Sequence, residues 1–371
     1  MPSVSPYPGR IARVRAALRL RGLEGMVFAA PEGLEGINVR YLTGFHGSSS
    51  FLVVGPRNAY LVTDFRYIET ATAQGREGGY EVRLETGPTA ARLASAAREA
   101  GTGRTGFEAD RVSVALFEAL RASLPEVLWQ DASGLVEDIR RVKESSEIAA
   151  IRSAAVRSAR AVEGILPTLP GRTERAVAAD LEYRMRQLGL DGPGFPTIVA
   201  SGERGSMPHA EPGDRVIAPG DLVTIDFGGL SEGYRSDETV TVAVGPVPDT
   251  LRHIFDVVAD AQACGIQAVR PGIAASEVDR AARVVIEAAG FGGAFGHGTG
   301  HGVGLEIHER PFARRMPPED MDEILLPGMT LTVEPGIYVP GLGGVRLEDT
   351  LLVTQDGSER LTVLPKTYRE V

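Results

Sequence analysis

The sequence predicts an α+β fold built on an internal repeat, and three echoes within the chain carry that reading. Pro219-Gly220-Asp221-Leu222-Val223-Thr224-Ile225-Asp226 returns as Pro327-Gly328-Met329-Thr330-Leu331-Thr332-Val333-Glu334, each ending on a carboxylate. Arg235-Ser236-Asp237-Glu238-Thr239 returns as Arg346-Leu347-Glu348-Asp349-Thr350, so each half has acids spaced for the two arms of a hairpin. Upstream, Pro170-Gly171 through Gly189 aligns without a gap on Pro271-Gly272 through Gly290, with apolar residues at helical spacing after each Pro-Gly start. The helix offset is 101 residues and the strand offset 108, a difference that a small insertion covers. Each half therefore reads as a helix followed by paired strands, and two such units facing each other bring their hairpins together about a pseudo-twofold axis.

Ahead of the repeat the pattern changes. Residues 1–135 read as a smaller α/β domain, with strands at 25–30, 50–54 and 59–63 and helices at 90–100 and 113–123. A charged stretch from Glu137 to Arg160 reads as a helix leading into a second domain over 136–371. Arg10, Arg13, Arg15 and Arg19 lie on a short amphipathic stretch that faintly resembles a transit peptide and reads better as a first surface helix.

Bulk composition excludes several classes. A chain of 371 residues exceeds the usual size of one core, and 24% charged with 43% hydrophobic residues is ordinary for a globular protein. The net charge of −10 argues against nucleic acid or an anionic membrane as partner. No apolar run approaches the ~20 residues of a membrane span, and the N-terminus lacks a signal-peptide core. The single cysteine, Cys264, excludes an intrachain disulfide or a multi-thiolate site, fits the cytoplasm, and reads as small core filler. Lys143 and Lys366 are the only lysines, and neither sits in a Gly-rich turn, so a P-loop is absent and a Schiff-base lysine is not expected.

The acids carry the chemistry. Asp226 and Glu334 each end a run that reads as a buried strand, where an unpaired carboxylate costs several kcal/mol. Arg235 and Arg346 offer plain ion pairs. For four acids in matched positions, two divalent cations account better for the formal charge. Between the halves lies Gly296-His297-Gly298-Thr299-Gly300-His301-Gly302-Val303-Gly304-Leu305-Glu306-Ile307-His308-Glu309, whose glycines oppose helix and suggest backbone passing close to metals or substrate. A His-Glu-x-x-His motif is absent, because Phe312 stands where its second histidine would fall. Four carboxylates, one imidazole (His301) and no thiolate suit Mn²⁺, with Co²⁺, Fe²⁺ or Zn²⁺ as alternatives.

These motifs resemble the pita-bread metallopeptidases, in particular the Xaa-Pro branch with aminopeptidase P and prolidase. In the C-terminal half the resemblance rests on Ile225-Asp226-Phe227-Gly228, Tyr234 through Thr239, Gly300 through Glu309, Val333-Glu334-Pro335-Gly336-Ile337-Tyr338 and Val345 through Asp349. In the N-terminal half, Asn38 through Phe45 and Thr63-Asp64-Phe65-Arg66-Tyr67 are similar to the family's creatinase-like domain. The resemblance implies a dinuclear site with Asp226, Asp237, His301, Glu334 and Glu348 as ligands, Asp237 and Glu348 bridging. It implies Glu334 as proton acceptor, His209 and His308 against substrate and tetrahedral intermediate, His297 lining the pocket, and Arg346 orienting the bridging Glu348. It further implies a homodimer acting on peptides with proline at the second position. His46 lies in a Gly/Ser-rich loop that in this family can reach a neighbouring subunit, although an exposed or structural role is the simpler reading, and His253 reads as a helix-surface residue.

Prolidases of the family often carry arginine where this chain has Phe312, with Arg310, Arg314 and Arg315 nearby. That departure tilts the expectation towards an Xaa-Pro aminopeptidase, with Xaa-Pro dipeptidase as the alternative. A creatinase-like amidinohydrolase or a non-peptidase binding module would be favoured were ligands missing, and a methionine aminopeptidase is disfavoured by the sizeable first domain.

Overall fold

Runs rich in β-branched and aromatic residues build the sheet at the centre of the N-terminal part. The computed structural model describes residues 5–84, 86–315 and 322–371. They divide into one unit ending at Arg140 and another spanning Arg141–Val371. In the first unit, strands β1 (Gly25–Ala30), β2 (Ser50–Val54), β3 (Ala59–Thr63), β4 (Glu81–Leu84), β5 (Arg104–Phe107) and β6 (Leu128–Asp131) run in the order β4-β3-β2-β1-β5-β6. The β1/β2 and β2/β3 pairs are antiparallel, and the remaining pairs are parallel. Helices α1 (Tyr7–Leu20), α2 (Ile37–Thr43), α3 (Ile68–Gly78), α4 (Thr89–Ala100), α5 (Val114–Ser123) and α6 (Leu135–Arg140) accompany it. Leu93, Ala97 and Leu120 pack with Val27, Val53 and Tyr60 in one core.

The arginines of α1 do more than face solvent. Arg10 is buried, donates to Tyr41 O at 2.9 Å and stacks over the Tyr41 ring, while Arg15 donates to Gly55 O at 2.9 Å. Arg19 alone of the four meets the expectation of an exposed residue on a surface helix without a described bond. Buried Asn38 accepts from Arg140 Nη1 at 2.8 Å and donates to Glu137 Oε1 at 2.7 Å, which holds α6 within the first unit.

The charged stretch expected as one helix over 137–160 is two, α6 and α7 (Ser145–Ile165). A capping box causes the break: Glu147 Oε2 accepts from Glu144 N at 2.8 Å and the Glu144 side chain accepts in return. Lys143 N meanwhile donates to Gly328 O at 2.8 Å.

The second unit continues with α8 (Glu174–Gln187), β7 (Gly192–Pro193), β8 (Ile198–Ser201), β9 (Leu222–Phe227), β10 (Gly229–Ser231), β11 (Tyr234–Arg235) and β12 (Glu238–Ala243). Then come α9 (Asp249–Ala268), α10 (Ala275–Ala288), β13 (Gly300–Gly302), β14 (Glu309–Ala313), β15 (Thr330–Val333), β16 (Gly336–Val339), β17 (Gly343–Arg346), β18 (Asp349–Val353) and β19 (Ser358–Arg360). β9 is central in the sheet β12-β9-β8 and β18 in the sheet β15-β18-β19; shorter ladders join β7, β10 and β11, β13 with β14, and β16 with β17. The repeat is visible in burial: Val177, Leu181 and Met185 of α8 and Val278, Ala282 and Ile286 of α10 occupy matched positions, all fully buried. Helical spacing of apolar residues places each set on one face.

Gly298 and Gly300 of the segment between the halves line the cavity, and strand contact fixes two of its glycines. A Cβ on Gly300 would lie 1.8 Å from Thr332 O, and one on Gly302 would lie 2.5 Å from Arg310 O. Cys264 is half-buried on α9 rather than a core residue, His253 is exposed on α9, and His46 is exposed. Among the described residues, no helix is long and apolar enough to cross a membrane.

Candidate metal centre

Two antiparallel pairs bring the echoed acids together. β9 pairs with β12 and β15 with β18, and the acids stand at the ends of these strands: Asp226 near the end of β9, Asp237 just before β12, Glu334 just after β15 and Glu348 just before β18. His301 lies on β13, whose backbone is tied to the neighbouring strand by His301 N donating to Thr332 Oγ1 at 3.0 Å and Glu334 N donating to Thr299 O at 2.8 Å.

The ligand-type atoms of Asp237, His301 and Glu348 all fall within 4.8 Å of one another. His301 Nε2 lies 3.3 Å from Glu334 Oε1 and 3.7 Å from Asp237 Oδ2. Asp226 completes the group. Arg346 Nη2 donates to its Oδ2 at 2.7 Å, whereas its Oδ1 is buried with no hydrogen-bond partner. An orphaned carboxylate oxygen beside three further buried carboxyls is costly, and a cation is what such a donor set fits.

The electrostatics agree. Burial pushes Asp237 well above the usual carboxylate range, and the charges of Glu348 and Asp226 push it further. Glu348 is likewise raised by burial and then by Glu334 and Asp226. Asp226 is raised by burial against the pull of Arg346. Glu334 goes the other way: burial raises it, but its hydrogen bond and charge interaction with His301 hold it below the ordinary value. His301 is raised, burial being outweighed by Glu334. Four oxygen-donor residues and one imidazole, without sulfur, suit hard or borderline divalent ions.

Around these residues lies a cavity of about 580 Å³. Asp226, Asp237, His301, Glu334, Arg346 and Glu348 line its floor side by side with His209, His297 and His308. Phe195, Ile198, Pro208, Pro212, Ile307 and Phe312 supply its apolar wall. All nine residues singled out from sequence thus reach one cavity. His308 sets its ring edge-on to that of His301, centroids 4.3 Å apart, and burial followed by the charge of His301 lowers its pKa. His297 Nδ1 is 2.7 Å from Gly298 O, an acceptor, so Nδ1 carries the proton and Nε2 accepts from Tyr338 OH at 2.9 Å. Burial holds this imidazole below its usual pKa, consistent with that neutral tautomer.

Two arginines are expected to partner the acids. Arg346 reaches Glu348 through Thr239: its Nε donates to Thr239 Oγ1 at 3.4 Å, and that hydroxyl donates to Glu348 Oε2. Its guanidinium donates to Asp226, to Tyr338 OH at 3.1 Å and to Pro208 O at 3.2 Å. Arg235, offered as a counter-charge, donates to the carbonyls of Gly194, at 2.8 Å, and Leu305. The residues that hold Asp237 and Glu348 are threonines missed in the sequence. Thr239 Oγ1 donates to Glu348 Oε2 and Thr350 Oγ1 to Asp237 O, both at 2.7 Å, so each half steadies the other's acid. Both close an echoed pentapeptide, which was the available signal; Tyr338 closes the motif that begins at Val333.

Comparison with known proteins places this geometry. Residues 149–355 match the model of metallopeptidase family M24, and residues 10–142 match the creatinase/prolidase N-terminal domain. A curated Xaa-Pro dipeptidase of Pyrococcus furiosus is 44% identical over 64% of this chain and 66% of its own length. The structure of an Xaa-Pro dipeptidase from Bacillus anthracis superposes with a TM-score of 0.92 at 38% identity, covering 98% of this chain and 99% of that one. An X-Pro aminopeptidase from Thermotoga maritima superposes with a TM-score of 0.87 at 33% identity, covering 96% of this chain and all of that one (100%). With its pita-bread catalytic unit and creatinase-type N-terminal domain, this chain belongs to metallopeptidase family M24.

Proposed function

We propose that the chain is an Xaa-Pro dipeptidase that works with two divalent metal ions. The observation that carries the proposal is the cluster of Asp237, His301 and Glu348 at the cavity floor beside the orphaned Oδ1 of Asp226. Asp237 and Glu348, one from each half of the repeat, would be shared between the ions, with Asp226, His301 and Glu334 completing their shells. Mn²⁺ suits the set best. When bound, the ions supply a nucleophilic water at neutral pH and a Lewis-acid pull on the scissile carbonyl.

The chain's own groups do the rest. Glu334, held ionised by His301, accepts the proton of the attacking water and returns it to the departing proline nitrogen. His308, kept largely neutral, donates towards the oxyanion that develops at the carbonyl oxygen, and His209, which lines the same cavity, contacts the substrate. The apolar wall receives the proline ring.

Two dipeptidase relatives support a dipeptide substrate over the aminopeptidase that Phe312 suggested. A dipeptide carries its free carboxylate one residue beyond the scissile bond. Arg314 lines the cavity beside Phe312, its guanidinium 5.8 Å from that ring's centroid, and supplies the matching cation. The aminopeptidase remains the second reading, favoured by Phe312 itself. Relative kcat/KM on Ala-Pro and Ala-Pro-Ala after metal stripping and Mn²⁺ readdition tests the choice: the dipeptide is expected to be preferred, and hydrolysis of the tripeptide alone would reverse it.

A further inference from the structure

The acids next to the two shared-ligand candidates form a second cluster behind the site. Glu238 and Asp349 follow Asp237 and Glu348 in the chain, and alternation along a strand sends neighbouring side chains to opposite faces. Both are buried at 1% exposure, and neither lines the cavity. They meet the ammonium of Lys366, and the guanidinium of Arg360 lies 3.5 Å from Asp349 Oδ2 as well. Lys366 Nζ donates to Glu238 Oε1 at 2.6 Å and to Leu364 O at 2.9 Å, and lies 3.1 Å from Asp349 Oδ1, so each of its three protons has an acceptor.

The stretch carrying Lys366 adds further ties. Leu364 N donates to Glu238 Oε1 at 3.0 Å and Thr362 Oγ1 to Asp349 Oδ1 at 2.7 Å, while Gln262 Nε2 of α9 donates to Asp349 Oδ2 at 3.2 Å. Composition sharpens the point. Only two of the chain's 39 basic residues are lysines, and both side chains are buried, Lys143 at 1% and Lys366 at 5% exposure. Lys143 is bonded to Glu309, the neighbour of His308. A chain that uses arginine everywhere else keeps lysine where a compact ammonium must serve acceptors in several directions, which a planar guanidinium does poorly.

We propose that Lys366 is a positioning residue for the metal centre. By clasping Glu238 and Asp349 it fixes the spacing of Asp237 and Glu348, which come from opposite halves of the repeat, and thereby sets how tightly the site holds its ions. This rests on the metal reading above. The test is equilibrium dialysis of metal-free protein against Mn²⁺ alone, with the melting temperature of each metal-free variant measured in parallel. Wild type is expected to take up two ions. Lys366→Met and Lys366→Arg should weaken binding by roughly 10–100-fold, the scale for removing a group that orients a ligand. Thr362→Val should weaken it by about fivefold, the scale of one lost hydrogen bond. Leu364→Ala removes a buried apolar side chain from the same stretch but keeps its backbone donor. It should lower the melting temperature while leaving the Mn²⁺ Kd within about twofold, since the backbone bonds of Leu364 to Glu238 and Lys366 are kept.

Wild-type affinity in Lys366→Arg and Thr362→Val would overturn the proposal, and these two variants decide it should Lys366→Met not fold. A loss of affinity in Leu364→Ala equal to that in Lys366→Met would also overturn it, by showing general loosening. No Mn²⁺ uptake by wild type would overturn the metal reading and this inference together.

Discussion

The two halves of the repeat match closely at their helices and diverge at the strand that follows. α8 and α10 begin and end 101 residues apart and bury the same positions. β9 with β12 and β15 with β18 then deliver two carboxylates each. The strand that matches β13 at the helix offset is β8, which follows the two-residue β7, and there His301 falls on Ala200. Both halves therefore contribute acids and cavity histidines, His209 from the first and His297 and His308 from the second, but only the second places an imidazole, that of His301, within the acid cluster.

The sharpest way to break that division is to take the metal away. Chelation is expected to abolish hydrolysis, and Mn²⁺ or Co²⁺ to restore it; full activity in protein shown by elemental analysis to be metal-free would end the account. His308 and His301, both of the second half, should then separate. His308→Ala should keep its metal and lose kcat by roughly 10²–10³-fold, the scale for one stabilising donor. His301→Ala should lose metal. Equal metal content in the two variants would show that the imidazoles have been given the wrong roles.

A smaller effect concerns the substrate. Arg314→Gln should lower kcat/KM on Ala-Pro by roughly 10–100-fold, the worth of a hydrogen bond to a charged group, and change Ala-Pro-Ala little. Phe312→Arg should raise the relative rate on the dipeptide. An Arg314→Gln variant unchanged on both peptides would remove the dipeptide argument while leaving the metal site intact.

The smallest effect is on stability. Asp237 and Glu348 have raised folded-state pKa values without metal, chiefly from burial, whereas unfolded carboxyls titrate near pH 4. The unfolded chain thus releases these protons first, and the metal-free fold loses stability as pH rises above about 4 towards the folded values. Asp237→Asn relieves this repulsion, so metal-free Asp237→Asn should melt above metal-free wild type at pH 8, by about 2–4 °C per kcal/mol relieved, with the gap closing as pH falls. A lower midpoint for the variant at pH 8 would mean that the acids are compensated by something other than metal.

Much of this was legible in the chain because repeats and buried acids leave strong marks. The carboxylates at strand ends, the Gly-His segment and the matched helices could be read directly, as could β1, β2 and β3 to the residue. What escaped depends on distance in the fold. Thr239 and Thr350 act across the repeat, and Tyr338 matters only because Arg346 and His297 converge on its hydroxyl. Arg346 reaches Glu348 only through Thr239, and its long guanidinium also reaches Asp226, 120 positions away. The break between α6 and α7 was hidden because Glu144 and Glu147 serve a helix interior as well as they serve a cap.

Metal content tests the central claim, that both halves build one site for two ions, most directly. Purified wild type, stripped and reloaded with Mn²⁺, is expected to hold two ions per chain by elemental analysis. Asp237→Ala from the first half and Glu348→Ala from the second should each fall to one or fewer. Unchanged metal content in both variants would contradict the account.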